Sequence, residues 1–203
     1  MDLFIDIETA PQYDSLDKYP TVLREKLVQK YPEDGYGKAG LHAEFAQIVC
    51  LSLGYMEGDR VRTRSLVGPE ISILKGLGSI IERQYKIVGH NILDFDLPFI
   101  QRRCVINDIK VPQSIRTAGK KPWDLEAIIG DTMVMWSGTQ WKYRVSLAVL
   151  CELLGVESPK SDMDGSKVGE AFYRGEIDRI AKYCEKDVVA TAKVYQILKS
   201  RGM

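Results

Sequence analysis

The sequence predicts one mixed α/β domain over residues 1–203, in which an N-terminal strand meander precedes helices that pack on a central sheet. Three patterns predict this fold class. Residues 2–8 alternate in polarity, as a strand does. Two β-rich stretches, residues 47–56 and 60–68, flank a polar turn and indicate a β-hairpin. Residues 177–199 repeat apolar side chains at helical spacing, which indicates a long final helix.

The elements of the first half follow in chain order. A helical stretch is predicted near residues 16–31, and the glycine-rich residues 34–40 predict a mobile loop. Pro69 is expected to open a helix, because proline favours the first helical position. The apolar side of that helix comprises Ile73, Leu74, Leu77, Ile80 and Ile81. Residues 86–89 predict a short strand that ends in a turn.

The middle of the chain combines one clear helix with an ambiguous segment. The helix is predicted to begin near Asp94 to Pro98 and to run past Cys104. Residues 108–122 predict a polar, basic connection. Residues 123–135 fit a strand and a helix equally well.

The last third of the chain is predicted to be helical on either side of a polar loop. Ser146 can cap a helix that stops at Gly155. Residues 157–166 predict the loop. The apolar side of the final helix comprises Ile177, Ile180, Cys184, Val188, Ala192 and Tyr195.

Composition and charge exclude several classes of protein. Hydrophobic residues make up 45% and charged residues 28% of the 203 residues, an ordinary globular balance. Lys plus Arg and Asp plus Glu both number 28, so the formal charge is zero. Duplex-binding proteins are usually basic, so neutrality argues against tight nonspecific nucleic-acid binding but not against an enzyme that grips a few phosphates. The sequence shows neither a secretory signal nor an apolar run of membrane length, which predicts a cytoplasmic protein without a membrane partner.

The cysteines predict buried free thiols. None of the four lies in a C-x-x-C pair, and each is next to apolar residues. They are Cys50, Cys104, Cys151 and Cys184. A zinc site is not expected, because neither of the two histidines is near a cysteine in sequence.

The first candidate for a functional site is an acidic pair in the N-terminal strand. Asp6 and Glu8 are two residues apart, so both side chains lie on one face. That geometry suits two carboxylates that bind one metal ion. A strand with a solvated acidic face explains the pair equally well, although Phe4 on the same face favours burial.

Two more acidic positions have ordinary structural explanations when each is taken alone. Asp96 lies at the predicted helix start, where an N-terminal cap is the more common role, and Asp94 competes for it. Tyr183 and Asp187 are four apart on a helix and therefore neighbours, usually as a contact on the helix surface.

Together the three acidic segments resemble the sequence motifs of one enzyme family. FIDIET (residues 4–9), GHNILDFDLPFI (residues 89–100) and YCEKDVVAT (residues 183–191) resemble, in order, the D-x-E-T, N-x-x-x-F-D and Y-x-x-x-D motifs of the DEDD superfamily of 3′–5′ exonucleases. The residue five before Asp187 is Lys182 rather than histidine, so the chain resembles the tyrosine subtype, DEDDy. It looks similar to stand-alone bacterial proteins related to the exonuclease domain of family-B DNA polymerases.

This resemblance implies a fold, two metal ions and a reaction. The fold is ribonuclease H-like, with a central five-stranded mixed sheet flanked by helices. The ions are Mg²⁺ or Mn²⁺, which hard oxygen ligands prefer. By resemblance, Asp6, Glu8 and Asp187 hold the first ion, and Asp6 bridges to a second that Asp96 supports. Tyr183 would orient the water that attacks the terminal phosphodiester and releases a nucleoside 5′-monophosphate.

The same resemblance names substrate-binding candidates. Thr9, Asn91 and Phe95 match motif positions that contact the 3′-terminal nucleotides. A place in the hydrophobic core explains the aromatic side chain of Phe95 equally well. The stretch from Ser146 and Leu147 resembles a motif that contacts single strands, although a helix cap with core leucines is an equal explanation. A further candidate, a lysine that meets the scissile phosphate, is Lys160.

The expected partner is a single-stranded 3′ end, and the N-x-x-x-F-D motif favours DNA over RNA. Two alternatives stay open at this point. One is a 3′–5′ exoribonuclease, which keeps the chemistry and changes the sugar. The other is a non-catalytic module that binds nucleic acid on the same fold.

Overall fold

The computed structural model describes residues 1–82, 85–125, 127–140, 142–158 and 163–203. Its strands are β1 (Asp2–Pro11), β2 (Ala46–Glu57), β3 (Arg60–Val67), β4 (Lys86–Gly89) and β5 (Ile129–Asp131). They form one sheet in the order β3-β2-β1-β4-β5. β2 is antiparallel to β1 and β3, whereas β4 is parallel to β1 and β5 to β4. This confirms the predicted five-stranded mixed sheet.

Helices cover both faces of the sheet. Those of the described part are α1 (Thr21–Lys30), α2 (Gly35–Lys38), α3 (Glu70–Ile81), α4 (Asp96–Ile106), α5 (Pro122–Leu125), α6 (Thr132–Ser137), α7 (Leu147–Leu154), α8 (Val168–Tyr173) and α9 (Ile177–Ser200). Short 3₁₀ turns occupy Leu16–Lys18, Ala39–Leu41, Gln113–Ile115 and Gly165–Lys167. No helix among them has the length and apolar character needed to cross a membrane.

The central strand β1 is buried on both faces. Leu3, Ile5 and Ile7 join the larger core, which α3 and α4 complete on one side of the sheet. Phe4 points the other way and packs edge-on against Tyr195 of α9, with ring centroids 5.6 Å apart. An acidic side chain on the Phe4 face is therefore enclosed between the sheet and α9.

The connection between β1 and β2 corrects two predictions. The stretch predicted as one helix over 16–31 is a 3₁₀ turn followed by α1, because Tyr19, the residue before Pro20, is extended. The segment 34–40, predicted to be a mobile loop, instead forms α2 and a 3₁₀ turn. The carboxylate of Asp34 caps this segment by accepting the N–H of Gly37 at 3.0 Å.

Most of the other helices match their predictions. α3 begins after Pro69, and its buried side chains are Ile73, Leu74, Leu77 and Ile81. α7 begins after Ser146 and ends at Gly155, whose backbone is left-handed. The ambiguous segment 123–135 contains the end of α5, then β5, then α6. All four cysteines are free and buried, as predicted.

The final helix packs on two sides, which its predicted apolar set did not capture. Ile180, Cys184 and Val188 face the sheet, as expected from their spacing. A second row, which includes Ala190 and Val194, packs with α7. The two rows hold α9 against the sheet on one side and α7 on the other, so a side chain on its inner face has a defined position over β1.

Candidate active site

The short strand β4 leaves part of the edge of β1 free for a side chain. β4 pairs with β1 only over Asp2 to Phe4. Beyond that point the chain leaves the sheet through a turn at Asn91, which has a φ of 60°. The carboxylate of Asp96, the first residue of α4, then accepts the N–H of Ile7 at 3.1 Å. The interpretation of Asp96 as a helix cap is wrong, because its carboxylate bonds to β1 and the residue is only 3% exposed.

A second buried carboxylate holds this turn in place. Asp131 ends β5 and accepts the N–H groups of Asn91 at 3.0 Å, Leu93 at 3.1 Å and Met133 at 2.9 Å. It therefore ties the turn before Asp96 to the start of α6. Asp131 lies outside the three acidic motifs of the sequence, although an aspartate between a strand and a helical stretch is typical of an N-terminal cap.

Asp6 and Glu8 lie on one face of β1, as the strand alternation predicted, and that face packs against α9. Glu8 is buried and lies opposite Cys50 in the sheet register, while Asp6 is half-buried. The Oδ2 atom of Asp6 is 3.3 Å from the Sγ atom of Cys184 on α9. The nearest ligand atoms of Asp6, Glu8 and Cys184 all lie within 4.8 Å of one another. The solvated acidic strand considered above is therefore wrong for Glu8.

α9 brings Tyr183 and Asp187 to the same place. Tyr183 is 8% exposed, so its pair with Asp187 is an interior contact rather than a helix-surface one. The Asp187 carboxylate lies close enough to the Tyr183 phenol to raise its pKa, and both groups interact electrostatically with Glu8. Residues that are remote in sequence thus lie together in one cluster.

The electrostatics of the cluster are those of crowded, buried carboxylates. Burial raises the pKa of Asp6 and of Glu8 well above the ordinary values, and the charge of Asp187 raises both further. Burial likewise raises the pKa of Asp96 to about 7. The pKa of Tyr183 is also raised, first by burial and then by Asp187, so the phenol is protonated at neutral pH.

This donor set fits a divalent cation. Four carboxylates supply hard oxygen ligands, of the kind that Mg²⁺ and Mn²⁺ prefer. Buried like charges are costly unless a counter-charge compensates them. A cation here would therefore offset the repulsion that raises the pKa values of Asp6 and Glu8.

The substrate-binding candidates from the second motif have defined partners in the protein. The Oδ1 atom of Asn91 accepts a hydrogen bond from Arg144 at 3.0 Å. Arg144 also forms an ion pair with the exposed Asp94, which places Asp96 rather than Asp94 in the acidic cluster. Phe95 is half-buried against the larger core, and its ring lies 5.5 Å from that of Phe99.

The remaining candidates lie farther along the chain or are engaged by the backbone. The Thr9 hydroxyl donates to the carbonyl of Gly40 at 2.7 Å. Ser146 is exposed and caps α7 by accepting the N–H of Val149. Leu147, the first residue of α7, packs against the cluster that α7 forms with α9. Lys160 lies outside the described residues.

Comparison with solved structures shows the same fold in a much larger enzyme. The chain aligns over 98% of its length with a family B DNA polymerase from the hyperthermophilic archaeon Pyrobaculum calidifontis, with a TM-score of 0.59 and 16% identity. The aligned part is 24% of the polymerase chain. At this identity the likeness shows the fold alone, which is the ribonuclease H-like fold that the sequence motifs implied.

Comparison with known sequences gives one relative and one family. An uncharacterized protein of Methanocaldococcus jannaschii is 28% identical over 125 residues, which cover 58% of this chain and 66% of that protein. Residues 40–201 match the model of a family described as predicted 3′–5′ exonucleases related to the exonuclease domain of PolB. Asp96, Tyr183 and Asp187 lie within the matched range, which is well over half of the chain. The chain therefore belongs to this family of predicted 3′–5′ exonucleases.

Proposed function

We propose that this protein is a metal-dependent 3′–5′ exonuclease of the tyrosine subtype, which removes nucleoside 5′-monophosphates from single-stranded DNA ends. The observation that carries the proposal is the convergence of acids from three elements. β1 supplies Asp6 and Glu8, α4 supplies Asp96 through its bond to Ile7, and α9 supplies Asp187. The family match supports the reaction class.

Each member of the cluster has a separate role in this proposal. Asp6, Glu8, Asp96 and Asp187 would hold two divalent cations, Mg²⁺ or Mn²⁺, which would supply an activated water and offset charge on the scissile phosphate. Tyr183 acts as a protonated hydrogen-bond donor, because burial and the neighbouring Asp187 carboxylate raise its pKa. It can therefore orient a water beside that carboxylate.

The substrate contacts extend the proposal to either side of the acids. Thr9, Asn91 and Phe95 would contact the 3′-terminal nucleotides, and the half-exposed side of Phe95 offers a ring on which a base can stack. Further along the strand, the contacts would come from Ser146, Leu147 and Lys160. We also propose that residues 1–203 act as one domain and that the protein is cytoplasmic.

The test uses matched oligonucleotides of DNA and RNA, each labelled at the 5′ end. With Mg²⁺ or Mn²⁺, the DNA should shorten from its 3′ end and release nucleoside 5′-monophosphates, and EDTA should stop the reaction. Faster digestion of the RNA would instead identify an exoribonuclease. Both oligonucleotides remaining intact with either metal, while still binding to the protein, would identify a non-catalytic module and contradict the proposal.

A further inference from the structure

Basic side chains from two helices meet at a pocket of about 540 Å³, which none of the clustered acids lines. Its cations are Lys26 and Lys30 of α1 and Arg102 of α4, and all three are exposed. Lys26 and Lys30 are four residues apart, so they lie on one side of α1. His42, from the connection between β1 and β2, also lines this basic pocket. None of these residues belongs to the three acidic motifs.

A small core holds α1 in place beside the basic pocket. Leu27 is the buried residue of α1, and it belongs to a cluster with Tyr19 and Phe45. At the end of α1, the hydroxyl of Tyr31 lies 2.6 Å from the Nε2 atom of His42, and the two rings stack with centroids 5.5 Å apart. The two lysines therefore project from a helix that is fixed at its middle and at its end.

Hydrogen bonds join the basic pocket to the strand that carries the acids. The carbonyl of Gly40 accepts the hydroxyl of Thr9 at 2.7 Å, and the carbonyl of Phe45 accepts the N–H of Gln12 at 2.8 Å. His42 lies between these two bonds, and two residues of chain span at most about 7 Å from Gly40. Thr9 in turn follows the acidic pair directly. A strand with its 3′ end at the acids therefore has only a short distance to cross to the basic pocket.

Positive charge predominates at the basic pocket, although the formal charge of the whole chain is zero. Among the described residues, Glu44 is the one acid of the lining, and it lies 3.9 Å from Arg102. No ion pair within the described part of the chain joins Lys26 or Lys30 to an acid. Burial lowers the pKa of His42 below its ordinary value, and the charges of Lys30 and Arg102 lower it further. Cations of both helices thus act on one environment, in which His42 is neutral at neutral pH.

We propose that the basic pocket binds backbone phosphates of the substrate strand, a few nucleotides away from the 3′ end that is cleaved. This inference rests on the proposed exonuclease function, which places the 3′ end of the same strand at the acids. Lysine and arginine bind backbone phosphates without reading sequence, as a nuclease of mixed sequences requires.

The neighbourhood of the cations favours a nucleic acid over an acidic protein as the ligand. The ammonium of Lys30 lies 5.6 Å from the centre of the Tyr31 ring, which stacks on His42. Cations beside aromatic rings are typical of sites for single strands. Lys26 and Lys30 precede residues 40–201, the range that matches the family model, so this site is assigned from the chain's own residues.

The test measures binding of a 5′-labelled single-stranded DNA to the whole protein by fluorescence anisotropy, in EDTA so that no hydrolysis is required. The variant combines Lys26→Gln, Lys30→Gln and Arg102→Gln. Each phosphate contact on a single strand adds about 0.7 to the slope of log affinity against log salt, so the slope should be smaller by about 2 in the variant. Between about 50 and 200 mM salt, the wild-type affinity should therefore fall about 20-fold further than that of the variant.

The matched control combines Lys75→Gln, Lys110→Gln and Arg201→Gln. It also removes two lysines and one arginine, all of them exposed and none lining the basic pocket. The total charge therefore changes equally in the two proteins, and the control should keep the wild-type slope.

A second measurement locates the contact on the DNA and needs no variant. One neutral methylphosphonate linkage replaces each phosphate in turn, starting from the 3′ end. Wild-type binding should weaken when the replaced linkage lies a few nucleotides from that end, and the triple variant should lose this sensitivity.

Several results would overturn the basic pocket as a strand site. They are equal salt slopes in the three proteins, an equal loss at every replaced linkage, no binding of DNA to the wild type, and tighter binding of polyglutamate than of DNA, which would identify an acidic protein as the ligand. All of them are read without hydrolysis. A wild type that binds DNA with the expected slope but leaves it intact with Mg²⁺ and Mn²⁺ would contradict the exonuclease function instead.

Discussion

Two buried clusters of charge lie on opposite faces of the sheet and differ in how their charge is balanced. On the α3–α4 face, Arg103 bonds both oxygens of Glu70, at 2.8 and 2.6 Å. The other donors and acceptors of the pair are met as well, by Ala43, Gln12, Ile48 and Asn107. On the α9 face, the charged groups of the described residues that act on Asp6 and Glu8 are acids.

The difference separates a structural cluster from the proposed active site. The Arg103–Glu70 pair is complete within the protein, with side-chain exposures of 6% and 7%, and needs no ligand. The acids of β1 repel one another, which raises the pKa values of Asp6 and Glu8. Acids whose pKa values are raised by burial and by one another, gathered in one place, indicate a functional site. Substitutions in each cluster test whether the two clusters differ in this way.

The largest effect is expected at the acidic cluster. Asp6→Asn should lower the hydrolysis rate by about a thousandfold, because charge stabilisation by a metal site is worth several kcal/mol. In EDTA the same variant should melt at the same temperature as the wild type or higher, because one of the repelling charges is gone. Turnover of labelled DNA and thermal melting measure the two effects.

Asp178→Asn is the matched control, because it makes the same replacement of aspartate by asparagine. Asp178 is exposed in the first turn of α9, before the turns that carry Tyr183 and Asp187. It should keep the wild-type rate. A loss of rate equal to that of Asp6→Asn, or a large loss of stability in Asp6→Asn, would show that the acids are structural and that the two clusters do not differ.

The Arg103–Glu70 ion pair should respond in the opposite way, with a loss of stability when one partner is replaced. Arg103→Met leaves Glu70 buried without its counter-charge and should lower the free energy of unfolding by about 3–5 kcal/mol. Its neighbour Arg102 is half-exposed and lies 3.9 Å from Glu44. Arg102→Met should therefore change the free energy of unfolding by less than about 0.5 kcal/mol. Urea denaturation measures both values. Similar losses in the two variants would mean that the buried pair contributes no more than a surface one.

Stability should depend on pH at the acidic cluster. The pKa of Asp96 is raised to about 7 in the folded protein, above the ordinary value of 3.8, so the folded state binds more protons between these values. The free energy of unfolding in EDTA should therefore fall as the pH rises from about 5 to about 7, by about 2 kcal/mol for one such group.

Asp96→Asn isolates this contribution. An asparagine keeps an oxygen for the N–H of Ile7 but has no proton to lose, so the pH dependence should become flatter. Saturating Mn²⁺ should have a related effect in the wild type, because a bound cation favours the ionised acids. Urea titrations at several pH values measure the slope. A slope unchanged in Asp96→Asn would show that Asp96 is not the group that titrates.

The sequence predicted the elements whose periodicity is long and regular. β1, the β2–β3 hairpin, α3 and α9 each follow from one period of apolar spacing. The segment 34–40 did not, because its glycines suggested freedom, whereas Asp34 caps it into a helical turn. Residues 123–135 were ambiguous because two short helices flank a three-residue strand there, each too brief to establish a period.

The site was predictable only as far as its motifs reach. The spacing of Asp6 and Glu8 fixed their common face, but the bond from Ile7 to Asp96 joins residues 89 apart in sequence. No local pattern contains that contact. Asp131 and Cys184 were missed as members of the site for the same reason, because their partners lie on other elements. The resemblance to known motifs, rather than periodicity, brought the distant acids together.

The smallest effect on the hydrolysis rate is expected at Tyr183, a donor that can be compared with Arg103 of the other cluster. Unlike the Arg103 guanidinium, the Tyr183 phenol is neutral, so it leaves the charge of the half-buried Asp187 beside it in place. Tyr183→Phe should therefore slow hydrolysis by about tenfold, the equivalent of one hydrogen bond of about 1.4 kcal/mol, and keep the fold.

The pH profile distinguishes a donor from a base. Because the pKa of Tyr183 is raised, the phenol stays protonated over the working range, and the profiles of Tyr183→Phe and the wild type should have the same shape. A rate that rises with pH in the wild type but not in Tyr183→Phe would instead identify a phenolate that accepts a proton. A tenfold loss with an unchanged profile assigns Tyr183 the positioning of water, with the charge left to the acids.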